Sequence, residues 1–133
     1  MKRLLNNSKS SANLPKVVAA EAEYTGGGWY VFLGEFSDGT YFIADFPYWD
    51  LRIVNEDPRP TYWDDFEGAG YPEWQEAHLI KDVDSNTTEA FFNDMFDWIL
   101  KNTPEGNYNS GDIEHMRSVN NDRDNYPYVQ LDY

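Results

Sequence analysis

The chain has 133 residues, 41% of them hydrophobic and 17% aromatic, and its 24 acidic against 10 basic side chains give a formal net charge of −14. That length suits one domain, and so rich a supply of rings argues against a wholly disordered chain. The lack of cysteine excludes disulfides, thiolate nucleophiles and cysteine-zinc sites and fits a reducing cytoplasm, while the charge disfavours direct contact with nucleic acid or anionic membranes.

Residues 1–16 are rich in Ser, Asn and Lys and end near Pro15, so a flexible leader is expected there, followed by one α+β domain over 17–133. The apolar pair Leu4-Leu5 is far shorter than the roughly 7–15 residues of a secretory signal. No run approaches the roughly 20 apolar residues of a membrane span, so a soluble cytoplasmic protein is expected. Val17–Tyr24 alternates as a strand, with Glu21 and Glu23 on one side and Val18, Ala20, Ala22 and Tyr24 on the other. Gly26-Gly27-Gly28 marks a turn, and Trp29–Phe36 is a second strand. Asp38-Gly39 is the strongest hairpin signal, returning the chain along Thr40–Phe46, with Leu51–Val54 as a candidate fourth strand. The second strand is apolar on both faces, which predicts helices over one face and a long loop, the first strand or a partner over the other. A homodimer packed through this second face is a further expectation.

Asn55–Tyr71 holds Pro58, Pro60, Gly68 and Gly70 without a period and reads as a long loop. Pro72 opens a short predicted helix over Glu73–Ile80. Thr88–Asn102 is the clearest helix, with Asn86 as its expected cap and Phe91, Phe92, Met95, Phe96, Trp98, Ile99 and Leu100 in one broad stripe. A last helix is expected over Asp112–Val119, and residues 120–133 form a docked or frayed tail. The whole reads as an antiparallel three- to four-stranded meander followed by two or three helices packed on it.

No catalytic constellation stands out, and an enzyme is not expected. Asp82-Val83-Asp84-Ser85-Asn86 begins like a calcium loop, but Thr87 and Asn93 occupy the positions that need glycine and glutamate. His78 and His115 lack metal spacing, so neither a metal nor another cofactor is expected. The distinctive feature is charge. From residue 17 on, the chain carries all the acids but only Arg52, Arg59, Lys81, Lys101, Arg117 and Arg123 as bases. A small soluble domain is comfortable with a net charge of about 2–8 in magnitude, and the excess attracts basic surfaces.

The acidic, aromatic run Tyr62-Trp63-Asp64-Asp65-Phe66-Glu67 leads into Glu73 and Glu76. Carboxylates stand in for phosphates and rings for bases, so this run can occupy a groove built for nucleic acid. The expected partner-binding residues are Tyr62, Trp63, Asp64, Asp65, Glu67, Glu73 and Glu76, extended by Asp82, Asp84, Asp94 and Asp97.

In size, acidity, lack of cysteine and order of elements, including the acidic helix with Phe92-Asn93-Asp94-Met95, the chain resembles small phage-encoded anti-CRISPR and DNA-mimic inhibitors. The resemblance is one of general character and carries no residue over by position. It implies an inhibitor in the host cytoplasm that competes with DNA for a basic groove on an effector such as a CRISPR-Cas nuclease. An immunity protein that neutralises a basic toxin nuclease is the first alternative. A carbohydrate- or small-ligand-binding module using Trp49, Tyr62 and Trp63 as stacking platforms is the second.

Overall fold

The alternation of side chains along four consecutive segments is realised as paired strands. The computed structural model describes residues 14–62, 70–106 and 108–125. Strand β1 (Val17–Gly26) pairs with β2 (Trp29–Phe36), β2 with β3 (Tyr41–Phe46), and β3 with β4 (Leu51–Val54), every pair antiparallel. Gly26, Gly27 and Gly28 all take positive φ, and Gly39 does so at φ 90°, so both hairpins use the freedom that a missing Cβ allows. After helix α1 (Gly70–His78), a fifth strand, β5 (Leu79–Val83), pairs antiparallel with β4 and completes the sheet in the order β1-β2-β3-β4-β5.

The fifth strand corrects the expected helix over Glu73–Ile80, which begins and stops earlier. Leu79-Ile80-Lys81-Asp82-Val83 lacks a buried face, with Ile80 53% exposed, so it carries no period of two. Pairing with β4, rather than burial, makes it a strand.

The two faces of the sheet have different covers. Tyr30, Phe32, Phe36, Phe42, Phe46 and Ile53 point to one side, against α2 (Glu89–Asn102) and α3 (Ser110–Asn120). Phe91, Phe92, Met95, Phe96 and Ile99 of α2 meet them, and Phe32, Phe42 and Phe92 lie in edge-to-face contacts with neighbouring rings. Each such side chain contributes about 1.5–3 kcal/mol on burial, so this layer dominates stability. Trp98 and Leu100, expected in the stripe, are only partly buried at its margins. Gly34 lies where β2 is crowded: a Cβ there would run into the Ala19 carbonyl oxygen and the Phe42 ring.

Val31, Leu33, Ile43 and Val54 form the other face and pack with Tyr62 and Trp74. The cover is therefore the described part of the predicted long loop, up to Tyr62, together with α1. Arg59 clasps it to the sheet by bonding Asp57 at 2.7 Å and Glu35 of β2 at 3.2 Å. The Trp74 indole donates to Thr61 Oγ1 at 3.1 Å and secures α1 to the same segment. Much of the second apolar face is therefore covered within the chain itself.

Asn86 does not cap α2. The helix begins after Thr88, which is fully buried and whose hydroxyl bonds the Trp49 and Ser85 carbonyls instead. Asn86 belongs to a single 3-10 turn, Ser85–Thr87. The end of the expected leader is also part of the fold: Leu14 packs against the main core, and the Lys16 carbonyl accepts the Ser37 N–H at 2.8 Å. Beyond α3, the Arg123 guanidinium sits 4.5 Å above the Trp49 ring and donates to Thr88 Oγ1, Asn120 Oδ1 and the Ser85 carbonyl. Residues 121–125 of the expected tail are thereby docked.

Candidate functional site

On the α1 side of the sheet a cleft of about 560 Å³ opens between β3, β4 and the covering segment. Its size falls in the range of ligand cavities, about 300–1,000 Å³. Val31 and Ile43 supply an apolar floor, because the register of β2 and β3 sends them to this face beside Asp45. Tyr62 and Gln75 line the side toward α1, and Trp29 stands at the mouth. Trp29 is 40% exposed because its cross-strand neighbour is Gly26, which has no side chain to cover it.

Turn 47–50 gives the cleft its charge. It follows a cis Phe46–Pro47 bond and holds Trp49 at φ 62°, a conformation L-residues seldom adopt. Trp49 is turned into the core, 4% exposed, against Phe46 and Phe92, whereas Tyr48 is 45% exposed and meets Trp29 edge-on at 5.2 Å. The Asp45 N–H donates to the Asp50 carbonyl at 3.1 Å, closing the turn and bringing both carboxylates to one end of the cleft. Asp82 of β5 lines the cleft as well.

Burial pushes the Asp45 carboxyl up to about 6, and the neighbouring Asp50 charge adds to it. The Asp50 N–H and the Trp29 side chain, which both donate to Asp45, offset only part of this. Asp50 is also raised, first by desolvation, with Arg52 opposing and Asp82 adding. Arg52 is the only cation among the lining residues, and it is already engaged. Its Nε donates to Asp82 Oδ1 at 2.8 Å and its Nη1 to Gln75 Oε1, while Gln75 Nε2 donates to the Tyr62 hydroxyl at 3.0 Å. Arg52 therefore serves as a strut between β5 and α1, not as the counter-ion of Asp45.

The residues expected to form the acidic surface divide into several groups. Trp63, Asp64, Asp65 and Glu67 lie outside the described residues. Tyr62 is not a displayed ring. It is 1% exposed, packed with Trp74, Val31 and Leu33, because an apolar sheet face needed a lid. Glu73 and Glu76 are exposed on α1, without an ion pair among the described residues. The others work within the fold. Asp82 bonds Arg52, and Asp84 caps the 3-10 turn by accepting the Asn86 N–H. Asp94 accepts the Val17 N–H at 2.9 Å and fastens β1 to α2, and Asp97 pairs with Arg117 of α3 at 2.8 Å. Carboxylates also stand on or after the helices, at Glu89, Glu114, Asp122 and Asp124, all exposed. The negative charge is thus shared between both layers, and its concave part is the cleft.

Asp45, Asp50 and Trp29 were missed as candidates. A signal existed for Asp45: it is the one charged residue in the apolar strand Tyr-Phe-Ile-Ala-Asp-Phe. Nothing local links it to Asp50 or Trp29, since the turn and the sheet register make that connection. Among the described residues no group of three His, Asp or Glu side chains is placed to hold a metal ion, and no helix is long and apolar enough to cross a membrane. Comparison of the chain with protein-family models, with curated proteins and with solved structures gave no match.

Proposed function

We propose that this protein acts by binding rather than by catalysis, as an acidic inhibitor that engages a basic protein surface and competes there with nucleic acid. A nuclease effector of the CRISPR-Cas kind or a toxin nuclease has the surface required. The observation that supports this reading is the cleft, where Asp45 and Asp50 meet and the one lining cation, Arg52, is held by Asp82 and Gln75. Glu73 and Glu76 of neighbouring α1 do not line the cleft but are exposed and add to the negative charge of the surface. A field of this kind accelerates encounter with a cationic partner and excludes anionic ones.

The test is capture of partners from the native host by the full chain, then competition. The captured protein is expected to be basic, to be displaced by duplex DNA, and to dissociate at about 1 M salt, where the screening length falls to about 3 Å. Joint replacement of Asp45, Asp50, Glu73 and Glu76 by their amides is expected to weaken the complex. A complex that resists both salt and DNA refutes the proposal.

The exposed Trp29–Tyr48 pair at the cleft mouth favours one second reading, a carbohydrate- or small-ligand-binding module. Of the three platforms expected for it, Trp49 and Tyr62 are buried and cannot serve, and Trp63 lies outside the described residues. Salt-insensitive binding to a glycan, lost in Trp29→Ala, would select this reading over the first.

A further inference from the structure

We infer that the cleft beside β3 and β4 is a receptor for one arginine side chain presented by the protein's partner. This rests on the binding reading above for the source of the arginine, while the preference of the cleft for a guanidinium stands on its geometry alone.

The cavity offers three surfaces that match such a side chain. Val31 and Ile43 form an apolar floor for an aliphatic stem, and long basic side chains bury their methylenes on such surfaces. Asp45 and Asp50 meet at one end, where two carboxylates provide acceptors for a planar, forked donor. Trp29 stands exposed at the mouth, where its ring can stack on a guanidinium that a compact, strongly hydrated ammonium matches less well. The volume of about 560 Å³ leaves room for a side chain with its first water shell.

Among the described residues, the chain's own arginines do not meet this need, and Arg117 is paired with Asp97. Arg52 is turned between Asp82 and Gln75, and Arg59 is clasped by Asp57 and Glu35. Arg123 lies over Trp49 on the opposite, helical side of the sheet. Asp45 thus holds a half-buried carboxylate with two hydrogen-bond donors and no cation bonded to it among the described residues. An incoming guanidinium supplies the missing charge and replaces the repulsion between Asp45 and Asp50 by a shared counter-ion.

The experiment is a titration of the isotope-labelled full chain, followed by amide NMR, with N-acetyl-arginine amide, its lysine counterpart and its citrulline counterpart. Citrulline keeps the shape and removes the charge. The arginine probe is expected to shift the amides of Trp29, Asp45 and Asp50 with a Kd of about 1 mM, a value in keeping with one small cation. The lysine probe should bind more weakly and citrulline should leave these amides unmoved. The double variant Asp45→Asn/Asp50→Asn should lose about tenfold or more in arginine affinity, as expected for loss of charge-assisted hydrogen bonds, while Glu114→Gln/Asp122→Asn, which removes two remote charges, should lose none. Equal response to arginine and citrulline overturns the inference, as does a response spread over Glu89, Glu114 and Asp122 instead of the cleft. Equal affinity for lysine overturns the choice of arginine. If the arginine probe binds in the cleft but captured partners ignore DNA, the inhibitor reading fails and the receptor stands. If partners compete with DNA but the probe leaves the cleft unmoved, the receptor fails alone.

Discussion

Replacing Asp45 by asparagine should make the protein more stable near neutral pH and leave it unchanged in acid. The Asp45 carboxyl titrates at about 6 in the fold against an ordinary value of 3.8, because burial and the Asp50 charge both oppose ionisation. The folded state therefore holds this proton more tightly than the unfolded chain does. Stability from this group is greatest below about pH 4 and falls as pH rises toward about 6, remaining lower above it. A displacement of about two pKa units corresponds to an upper limit of about 3 kcal/mol, at about 1.36 kcal/mol per unit. Solvent at the open cleft screens part of this, so a gain of about 1–2 kcal/mol is expected for Asp45→Asn near pH 7.5. Asparagine Oδ1 can still accept the Asp50 N–H, so that hydrogen bond survives. Urea unfolding followed by tryptophan fluorescence at about pH 7.5 and about pH 4 measures the difference, which should appear as a higher midpoint with an unchanged slope. Equal or lower stability of the variant at the higher pH would refute the reasoning, and so would a gain that is the same at both pH values. A carboxylate that costs stability yet marks the cleft is the pattern expected where binding, not folding, needs the charge.

Two further outcomes probe the frame that positions the cleft. Arg123→Ala should destabilise by about 3 kcal/mol in thermal or urea unfolding, since it strips the Trp49 ring of its cation and leaves the Asn120 and Ser85 acceptors unmatched; Arg123→Lys should restore only part, because a point charge cannot reproduce the planar fork. Gly34→Ala should cost about 3 kcal/mol or abolish soluble expression, because the new methyl meets the Ala19 backbone oxygen, which cannot rotate away. Wild-type stability in either case would show that these contacts are not made.

How much of this protein is local information differs from element to element. The first four strands and the helices α2 and α3 were legible because each has a strong short-range cause: alternation in Val17–Tyr24, Asp38-Gly39 between two apolar runs, and a broad apolar stripe from Phe91 to Ile99. The two-sided apolar character of Trp29–Phe36 also announced that both sheet faces would be covered. The fifth strand had no such cause. Leu79–Val83 is extended because β4 offers it an edge, and that edge exists only once the meander has formed. The placement of charge was hidden for the same reason. Composition set its amount, but whether Asp94 faces a solvent shell or the Val17 N–H, and whether Asp97 meets Arg117, depends on how β1 and α3 pack on α2. Tyr62 became a lid instead of a displayed ring because an apolar face lay beneath it. Asp45 and Asp50 become neighbours through the turn between β3 and β4, and Trp29 joins them across the sheet register. Sequence alone thus determines the class of fold and the sign of the surface. The tertiary structure decides which carboxylates are spent on the fold and which face the cleft, since only packing brings distant residues within reach of one another.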